Sequence, residues 1–297
     1  MIIELEYTTE FKGATRALKA DKNVKQKNAW HLKSVKGNGL PPTDALGGAS
    51  YGLAGRSYNG LSIDSREIEA EMYADGFSPA ACQQLLDDAR RVVSVGSEDL
   101  GILKLTNSLG EKYRIAAKAL ELTPSKTYRR SALVDALFYC PYSYFEGDTL
   151  QSVPLFAVQG GKEYPLDRPY TFANSEATDG AKVAECFNAG DIAAPCTIKL
   201  FGAGLTRVEI VNQTTGAVIV VSGMDGVGGI EICTDANNLY ARFDDGSDAS
   251  AYVSLIAALS DFVLVPGLNY LSVEMTATSV TAAGTSIEWR GRYSSCL

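Results

Sequence analysis

The sequence predicts a mainly β protein built from two domains. Its 297 residues are enough for two hydrophobic cores of ordinary size. Two β-branched runs, residues 208–211 and 217–221, flank five turn-forming residues that end in Gly216, a pattern typical of a β-hairpin. A second hairpin pattern follows at 230–243 with no helical pattern between the two, which favours antiparallel sheet over a βαβ unit.

The charge of the chain is unevenly distributed. The net charge is −8, but residues 1–40 carry eight Lys and Arg against four Asp and Glu, a charge of +4, and the remainder carries 19 against 31, a charge of −12. A basic segment can bind nucleic acid, but these lysines are scattered without interleaved aromatic residues. We therefore expect them to solvate an exposed segment or to face an acidic neighbouring subunit.

Nothing in the sequence predicts secretion or a membrane span. Met1 to Tyr7 contains two glutamates and is followed by no apolar signal region. The longest apolar run, residues 253–268, is interrupted by Asp261 and Pro266 and is too short to cross a bilayer. We expect a protein that is made and kept in the cytoplasm, or released from it by lysis.

The cysteines have neither Cys-x-x-Cys pairs nor the spacing of metal ligands. In a cytoplasmic product such residues are expected to be buried free thiols. The six are Cys82, Cys140, Cys186, Cys196, Cys233 and Cys296.

Residues 1–50 are predicted to form an extended, basic, loop-rich arm. Their apolar periodicity is weak, and the breakers at 36–42 and 47–48 interrupt it. Because such a segment buries little surface, we expect it to gain its order from a partner.

Residues 51–150 are predicted to form a small, mostly β domain. Apolar residues alternate with glutamate over 67–72, as in a half-buried strand. A hairpin is predicted over 103–122 with its turn at 107–110, and a further strand over 133–139.

This domain also contains the one convincing helix pattern of the chain. Ser78 is suited to the N-cap and Pro79 to the first helical position, and Gly96 lies near the predicted end. The apolar stripe consists of Cys82, Leu85, Leu86, Ala89, Val92 and Val93.

The rest of the chain is predicted to be a crossover over 151–175, rich in Pro and Gly, and a second β domain over 176–297. The crossover stretch could also contain the first strand of the second domain. In this domain a turn at 266–269 leads into a strand over 270–275. The final strand is predicted over 287–293, where apolar residues and Gly alternate with Glu and Arg.

We predict no catalytic, cofactor-binding or metal-binding residues. The single histidine, His31, lies in the predicted arm, where a catalytic base would lack a rigid setting, so we expect a surface or interface histidine. Residues 223–229 are glycine-rich but precede a strand instead of a helix, which indicates a hairpin connection and not a phosphate-binding loop. The acidic residues at 244–248 lack the spacing of an EF-hand, so a solvated turn is favoured over a Ca²⁺ site.

Two further functions stay open on composition alone. A glycosidase needs only two well-placed carboxylates, and 35 acidic residues are present, although no pair stands out. Carbohydrate binding needs exposed aromatic residues, for which Trp30, Trp289 and several tyrosines are candidates. Trp289 shares its predicted strand face with Ile287 and Tyr293, which favours packing in the core.

The order of several motifs resembles the second domain of the phage distal tail proteins, the hub subunits of siphophage baseplates. The ending at 289–293 resembles the closing strand of that family, and residues 66–72, the helix and 138–142 resemble its first domain more loosely. This chain departs from the family in having Cys233 where Asp is usual, and in the long basic segment before Tyr51. The motifs lie at 187–191 (FNAGD), 194–195 (AP), 198–202 (IKLFG), 211–216 (VNQTTG), 230–234 (IEICT) and 264–269 (LVPGLN).

The resemblance implies a structural virion protein of the phage tail tip that is assembled in the host cytoplasm. It implies a first domain that forms a head-to-tail ring of six copies and a galectin-like β-sandwich as second domain. The ring would join the tail tube to the central tail fibre, could carry receptor-binding proteins for host attachment on the second domain, and would let DNA pass through its lumen. No enzyme activity or cofactor is implied. The alternatives are a carbohydrate-binding adhesion module of a tail or surface protein, and a wall-degrading hydrolase.

Overall fold

The structure is a computed structural model that describes residues 1–11, 14–46, 60–93, 100–157, 182–202, 205–223, 228–255, 258–277 and 283–296. The chain divides into two compact units, unit 1 (Met1–Asp148 and Tyr293–Leu297) and unit 2 (Thr149–Arg292). Both are built from β-strands, so the predicted mainly β class is confirmed. Within the residues described, no helix combines the length and the apolar character needed to span a membrane.

Unit 1 is a β-barrel. Strand β8 pairs with β7 through its first half and with β9 through its second half, so the order β8-β7-β1-β2-β3-β6-β9 closes on itself. Strand β10 adds to β8 outside this circle, and β4 pairs with β5 as a separate ribbon. The strands are β1 (Ile2–Phe11), β2 (Ala14–Asp21), β3 (Ala29–Lys36), β4 (Thr43–Leu46), β5 (Gly60–Ile63), β6 (Arg66–Asp75), β7 (Gly101–Asn107), β8 (Lys112–Thr127), β9 (Ser131–Cys140) and β10 (Phe145–Gly147).

Period-two alternation decides which side chains fill the barrel. In β6 the predicted apolar residues are all buried while the intervening glutamates face outward, as expected for a half-buried strand. The same alternation runs through β7 and the first half of β8, and it confirms the predicted hairpin there. The predicted strand at 133–139 is also confirmed, as part of β9.

The prediction of an extended arm for residues 1–50 is wrong. Strands β1, β2 and β3 are three of the seven barrel strands, and Leu5, Leu18 and Leu32 lie buried in the core. Strands β1 and β2 pair locally as a hairpin, but their other partners are remote or few: β1 pairs with β7, about a hundred residues away, and β2 meets β3 only through the parallel pair Ala20 and Trp30. Residues 47–50 lie outside the described residues.

Three lysines of this segment are exposed to solvent, as one of the two expectations had it, but they lie on barrel strands and not on an arm. Each pairs with a glutamate of an adjacent strand in the same unit, so these charges do not require an acidic neighbouring subunit. The pairs are Lys19 with Glu4, Lys33 with Glu71, and Lys36 with Glu69.

The predicted helix is confirmed as α1 (Pro79–Val92), the one α-helix among the residues described. It packs against β2, β6 and β9 and buries Cys82, Leu86, Ala89 and Val92. The predicted end near Gly96 lies outside the described residues.

Ser78 caps this helix as predicted, and its removal should weaken unit 1. Ser78 Oγ accepts a hydrogen bond from the Ala81 N–H at 3.1 Å. We expect Ser78→Ala to lower the free energy of unfolding by about 1 kcal/mol, because the N–H loses its partner. Urea denaturation would measure the loss, and Ser78→Asp, which restores an acceptor, should recover most of it.

Unit 2 is a sandwich of two sheets around one core. One sheet has the order β11-β21-β13-β16-β17, with β19 added to β13, and the other has the order β12-β20-β14-β15-β18. The strands are β11 (Gln151–Ala157), β12 (Lys182–Asn188), β13 (Ala194–Gly202), β14 (Leu205–Asn212), β15 (Ala217–Ser222), β16 (Gly229–Cys233), β17 (Tyr240–Phe243), β18 (Val253–Leu255), β19 (Val263–Leu264), β20 (Gly267–Ala277), β21 (Ala283–Trp289) and β22 (Arg292–Tyr293), in which the chain passes back to unit 1.

Both hairpins on which the fold prediction depended are present. Strand β14 pairs with β15 across the turn that ends at Gly216, and β16 pairs with β17. Gly216 has φ +78°, a conformation that glycine adopts without strain. The strand predicted over 270–275 is confirmed within β20.

Two other predictions for this part of the chain need correction. The predicted final strand ends at Trp289 and does not continue to Tyr293, which belongs to unit 1. The first residues of the predicted crossover form β11, the first strand of unit 2, as the prediction had allowed, so the second domain begins at Thr149 and not at residue 176. Residues 158–175 of that crossover lie outside the described residues.

Candidate functional site

The motifs that carry the family resemblance converge within unit 2. Asn188, Asn212 and Asn269 are all buried, and each donates from Nδ2 to a main-chain carbonyl of residues 263–265, at 2.8, 2.9 and 2.8 Å. This segment includes β19, which pairs with one sheet, while the three asparagines belong to strands of the other. The asparagines therefore link the two sheets, which is a structural role and not a chemical one.

A second motif contact involves the glycine of the 187–191 motif. A Cβ atom on Gly190 would lie 2.1 Å from the Arg292 carbonyl oxygen, so only glycine fits there. Arg292 in turn donates to the Asp235 carboxylate at 2.6 Å, and both side chains are largely shielded from solvent. The motifs thus fix loop geometry and the course of the chain before it leaves unit 2.

The residues considered for chemistry do not form an active site. His31 lies half-buried on β3 with its ring 6.4 Å from that of Tyr73, so it is part of the barrel and not of a loop. No group of three or more His, Cys, Asp or Glu side chains in the described ranges is arranged to hold a metal ion. Residues 224–227 of the glycine-rich stretch lie outside the described residues.

The carboxylates of the acidic stretch at 244–248 accept hydrogen bonds from other groups of this chain. The Asp245 and Asp248 carboxylates accept hydrogen bonds from Ser247 and Ser250, whose hydroxyl groups hold the pKa of each carboxyl below its ordinary value. The Asp244 carboxylate accepts a hydrogen bond from the Gly229 N–H at 2.8 Å. This arrangement is that of a solvated turn.

The predictions for the cysteines and Trp289 are confirmed. All six cysteines are buried free thiols. Burial raises the pKa of Cys140, Cys196 and Cys296 to about 12, so these thiols are poor nucleophiles. Trp289 is 4% exposed and packs in the core of unit 2.

A groove of about 520 Å³ on the outside of the barrel has four carboxylates among its lining residues, those of Glu69, Glu71, Glu121 and Asp135. A glycosidase needs one carboxyl with a raised pKa to act as the acid. Here the hydrogen bond from Lys33 holds the pKa of Glu71 below its ordinary value, and Glu69 pairs with Lys36. The groove therefore gives no support to hydrolysis.

The outer face of the β13–β16–β17 sheet is a network of paired charges. Tyr240 Oη and Arg242 Nη2 donate to the same oxygen of Glu231, at 2.6 and 2.7 Å, and Lys199 pairs with Glu288 at 2.7 Å. Burial raises the pKa of Glu231, but the hydrogen bonds from Tyr240 and Arg242 outweigh it and leave the pKa below its ordinary value. The charges on this face are satisfied within the chain.

The outer face of the opposite sheet includes a patch of exposed apolar side chains on β12 and β20, which we call the apolar face. Val183, Phe187, Leu268 and Tyr270 lie on β12 and β20 and are 47%, 62%, 42% and 40% exposed. Phe187 is paired with Leu268 in the ladder, and Tyr270 lies diagonally next to Phe187. Such a contiguous apolar surface is a typical interaction site.

A third surface is the ribbon formed by β4 and β5. Every residue of β4 is exposed, and Leu40, Leu46 and Ile63 are 76%, 49% and 43% exposed. Among the residues described, the two strands pair only with each other. Sequence reasoning missed this element because it lies within the stretch interpreted as a loop-rich arm.

Comparison with known proteins gives relatives by structure and not by sequence. No model of a known protein family matches the sequence, and no curated protein matches it. The SPP1 Dit protein, described as a paradigm of the hub adsorption apparatus in phages that infect Gram-positive bacteria, has a TM-score of 0.58 at 12% identity, over 96% of this chain and 98% of that chain.

Two structures of the phage P2 baseplate in its activated conformation, with Ca and with Sr, show the same similarity. Chains in them have TM-scores of 0.51 and 0.50 at 14% identity, over 97% of this chain and 98% of each of those chains. The resemblance to the phage distal tail proteins is therefore confirmed at the level of the fold, across both units.

Proposed function

We propose, from the fold that this chain shares with phage baseplate hub proteins, that it is a distal tail subunit of a siphophage. In this proposal six copies form a ring that joins the tail tube to the central tail fibre and the receptor-binding apparatus. The function is structural and involves no catalysis or cofactor. Support comes from the similarity over nearly the full length of both chains, which includes both units and not one module alone.

The β4–β5 ribbon is the observation that carries the proposed self-association. An isolated two-stranded ribbon is marginally stable in water, and on this one Leu46 and Ile63 are exposed. It is therefore suited to order against a partner. In a head-to-tail ring each copy would lay its ribbon on the next, so that the two sides of the contact differ and the ring closes.

The remaining partners follow from the same proposal. The tail tube and the central tail fibre or tail-associated protein would bind opposite sides of the ring, and DNA would pass through the lumen without base-specific contacts. Unit 2, which we expect to be galectin-like, would present the surface for receptor-binding proteins. The protein would be assembled in the host cytoplasm and reside in the virion, at the tail tip.

Light scattering together with negative-stain microscopy tests the ring. We expect the mass of six copies and particles with a central hole. The variant Leu46→Ser/Ile63→Ser should lose the ring while keeping its fold, because the ribbon loses its apolar contacts, and Leu109→Ser, an equally conservative change at an 81% exposed turn residue, should keep it. A wild-type monomer at every concentration would contradict the proposal.

The carbohydrate-binding alternative gains one observation. It requires aromatic side chains exposed on one sheet face, and Phe187 and Tyr270 meet that requirement. Their neighbours Val183 and Leu268 are aliphatic, which favours a protein partner, whereas the exposed Glu185 carboxylate opposite Tyr270 is able to accept hydrogen bonds from sugar hydroxyl groups. A glycan array on which the wild-type protein binds and Phe187→Ala/Tyr270→Ala does not would support the alternative.

A further inference from the structure

Unpaired positive charges gather at one end of the barrel of unit 1. We call this surface the basic rim: Lys25, Lys27, Phe77, Tyr128, Arg129 and Arg130. The four cations are exposed, and none forms an ion pair with a carboxylate within the part of the chain that the structure describes. Phe77 and Tyr128 are 63% and 59% exposed beside them.

Backbone hydrogen bonds bring the three segments of the basic rim together. Asn28 N–H donates to the Asp75 carbonyl at 2.6 Å, and Gly76 N–H donates to the Arg130 carbonyl at 2.9 Å. The turn at 128–131 is closed by a hydrogen bond of 2.7 Å from Tyr128 N–H to the Ser131 carbonyl. The cations and the exposed aromatic rings therefore lie on one surface whose segments are joined by backbone hydrogen bonds. Asp75 adds one carboxylate at the same end of the barrel.

The charge balance of the two units makes this surface unusual. The chain contains 27 Lys and Arg and 35 Asp and Glu. Unit 2 holds 8 of the basic and 16 of the acidic residues, a net charge of −8, and unit 1 holds 19 of each, a net charge of zero. The basic rim thus lies on the neutral unit, whereas the negative charge that would attract it is concentrated in unit 2.

The apolar face of unit 2 offers that complement in detail. Glu185 is paired with Tyr270 in the ladder, and Glu274 lies farther along the same strand face. Both carboxylates are exposed and have no ion pair among the residues described. Glu274 is also directly opposite Glu209, whose carboxylate is already paired with Arg207 on the same strand. Aromatic and aliphatic groups flank acids here, as aromatic groups flank cations on the basic rim.

We propose that the basic rim of one copy docks on the apolar face of a second copy. The alternatives between copies are less favourable: face against face would bring Glu185 and Glu274 of both copies together, and rim against rim would bring the arginines together. The four large side chains of the apolar face expose on the order of 400 Å². Since a standard interface takes about 800 Å² from each partner, this contact is suited to add to others and not to stand alone. The proposal builds on the proposed ring, in which each copy presents two different surfaces.

A charge swap in the full chain tests the docking. Arg129→Glu/Arg130→Glu reverses the charge of the basic rim, and Glu185→Lys/Glu274→Lys reverses the charge of the apolar face. We expect each double variant to self-associate at least ~10-fold more weakly than wild type, as measured by sedimentation velocity at ~50 mM NaCl. All four changes together should restore it to within about threefold of wild type, because opposite charges again meet. Arg90→Glu/Arg91→Glu, which makes the same charge change on α1, should leave self-association unaltered, and thermal unfolding would verify that every variant is folded.

The outcomes separate this docking from the ring itself. A wild-type ring that neither reversal weakens would overturn the docking and leave the proposed function intact. If wild type forms open oligomers without a closed ring, and the variant with all four changes forms them again after each reversal has weakened them, the docking would be supported and the hexameric hub contradicted. Two reversals that each weaken association but give no recovery when combined would also overturn the docking, since the two surfaces would then have different partners.

Discussion

Replacing Arg66 with Met should lower the free energy of unfolding of unit 1 by about 3–5 kcal/mol. Arg66 is 1% exposed, yet its guanidinium has no carboxylate partner among the residues described. It donates instead to four main-chain carbonyls at 2.9 to 3.0 Å and lies 4.3 Å from the centre of the Phe145 ring. Methionine would remove the donor from all four of these part-buried hydrogen bonds at once.

The four carbonyls explain why one side chain should matter so much. They belong to Gly37 and Gly39 after β3, to Ser143 between β9 and β10, and to Ser294 near the C-terminus. One guanidinium therefore joins three segments that are remote in sequence. Burial lowers the pKa of Arg66, which shows that the cation is held at a desolvation cost that these hydrogen bonds must offset.

The two tryptophans allow this effect to be measured in unit 1 alone. Trp30 lies in unit 1 and Trp289 in unit 2, so urea denaturation of a Trp289→Phe background follows unit 1 by fluorescence. Arg66→Lys keeps the charge but loses the planar set of donors, and we expect a smaller loss of about 2 kcal/mol. Arg90→Met, at an exposed helix position, should cost no more than about 0.5 kcal/mol. Equal midpoints for Arg66→Met and its background would refute the assignment.

The second large effect is expected for Asn269→Ala, at about 2–3 kcal/mol in unit 2. Asn269 is fully buried; its Oδ1 accepts from the Val265 N–H at 3.0 Å, and its Nδ2 donates to the Val265 and Gly267 carbonyls at 2.8 and 3.1 Å. Alanine would remove these three part-buried hydrogen bonds and would release the segment that joins the two sheets.

Trp289 fluorescence in a Trp30→Phe background reports this loss in unit 2. Asn269→Asp tests the Nδ2 donor group alone, because a carboxylate of the same shape would face the two carbonyls without an N–H to donate. It should lower the free energy of unfolding at least as much as alanine does. Asn238→Ala, in an exposed turn, should change the free energy of unfolding by less than about 0.5 kcal/mol. A similar small change for Asn269→Ala would show that the motif asparagine does not hold the sheets.

The elements that sequence predicted well are those decided by neighbours in the chain. The cap at Ser78, the turn at Gly216 and the alternation in β6 each depend on a few adjacent residues, so their pattern is visible without a partner. The order of motifs in unit 2 likewise predicted the fold that the structural comparisons confirm.

The contacts between residues remote in sequence were decided only by the tertiary structure. Residues 1–36 look like a basic arm until β7 pairs with β1, because their lysines face the solvent side of a barrel wall while Leu5 and Leu32 fill the inside. The basic rim is assembled from loops a hundred residues apart, and Arg66 gathers carbonyls from three segments. Sequence alone thus determined the class of the fold and its local turns. The closure of the barrel, the contacts of Arg66 and the interaction surfaces depend on segments that are remote in sequence, which no local pattern encodes.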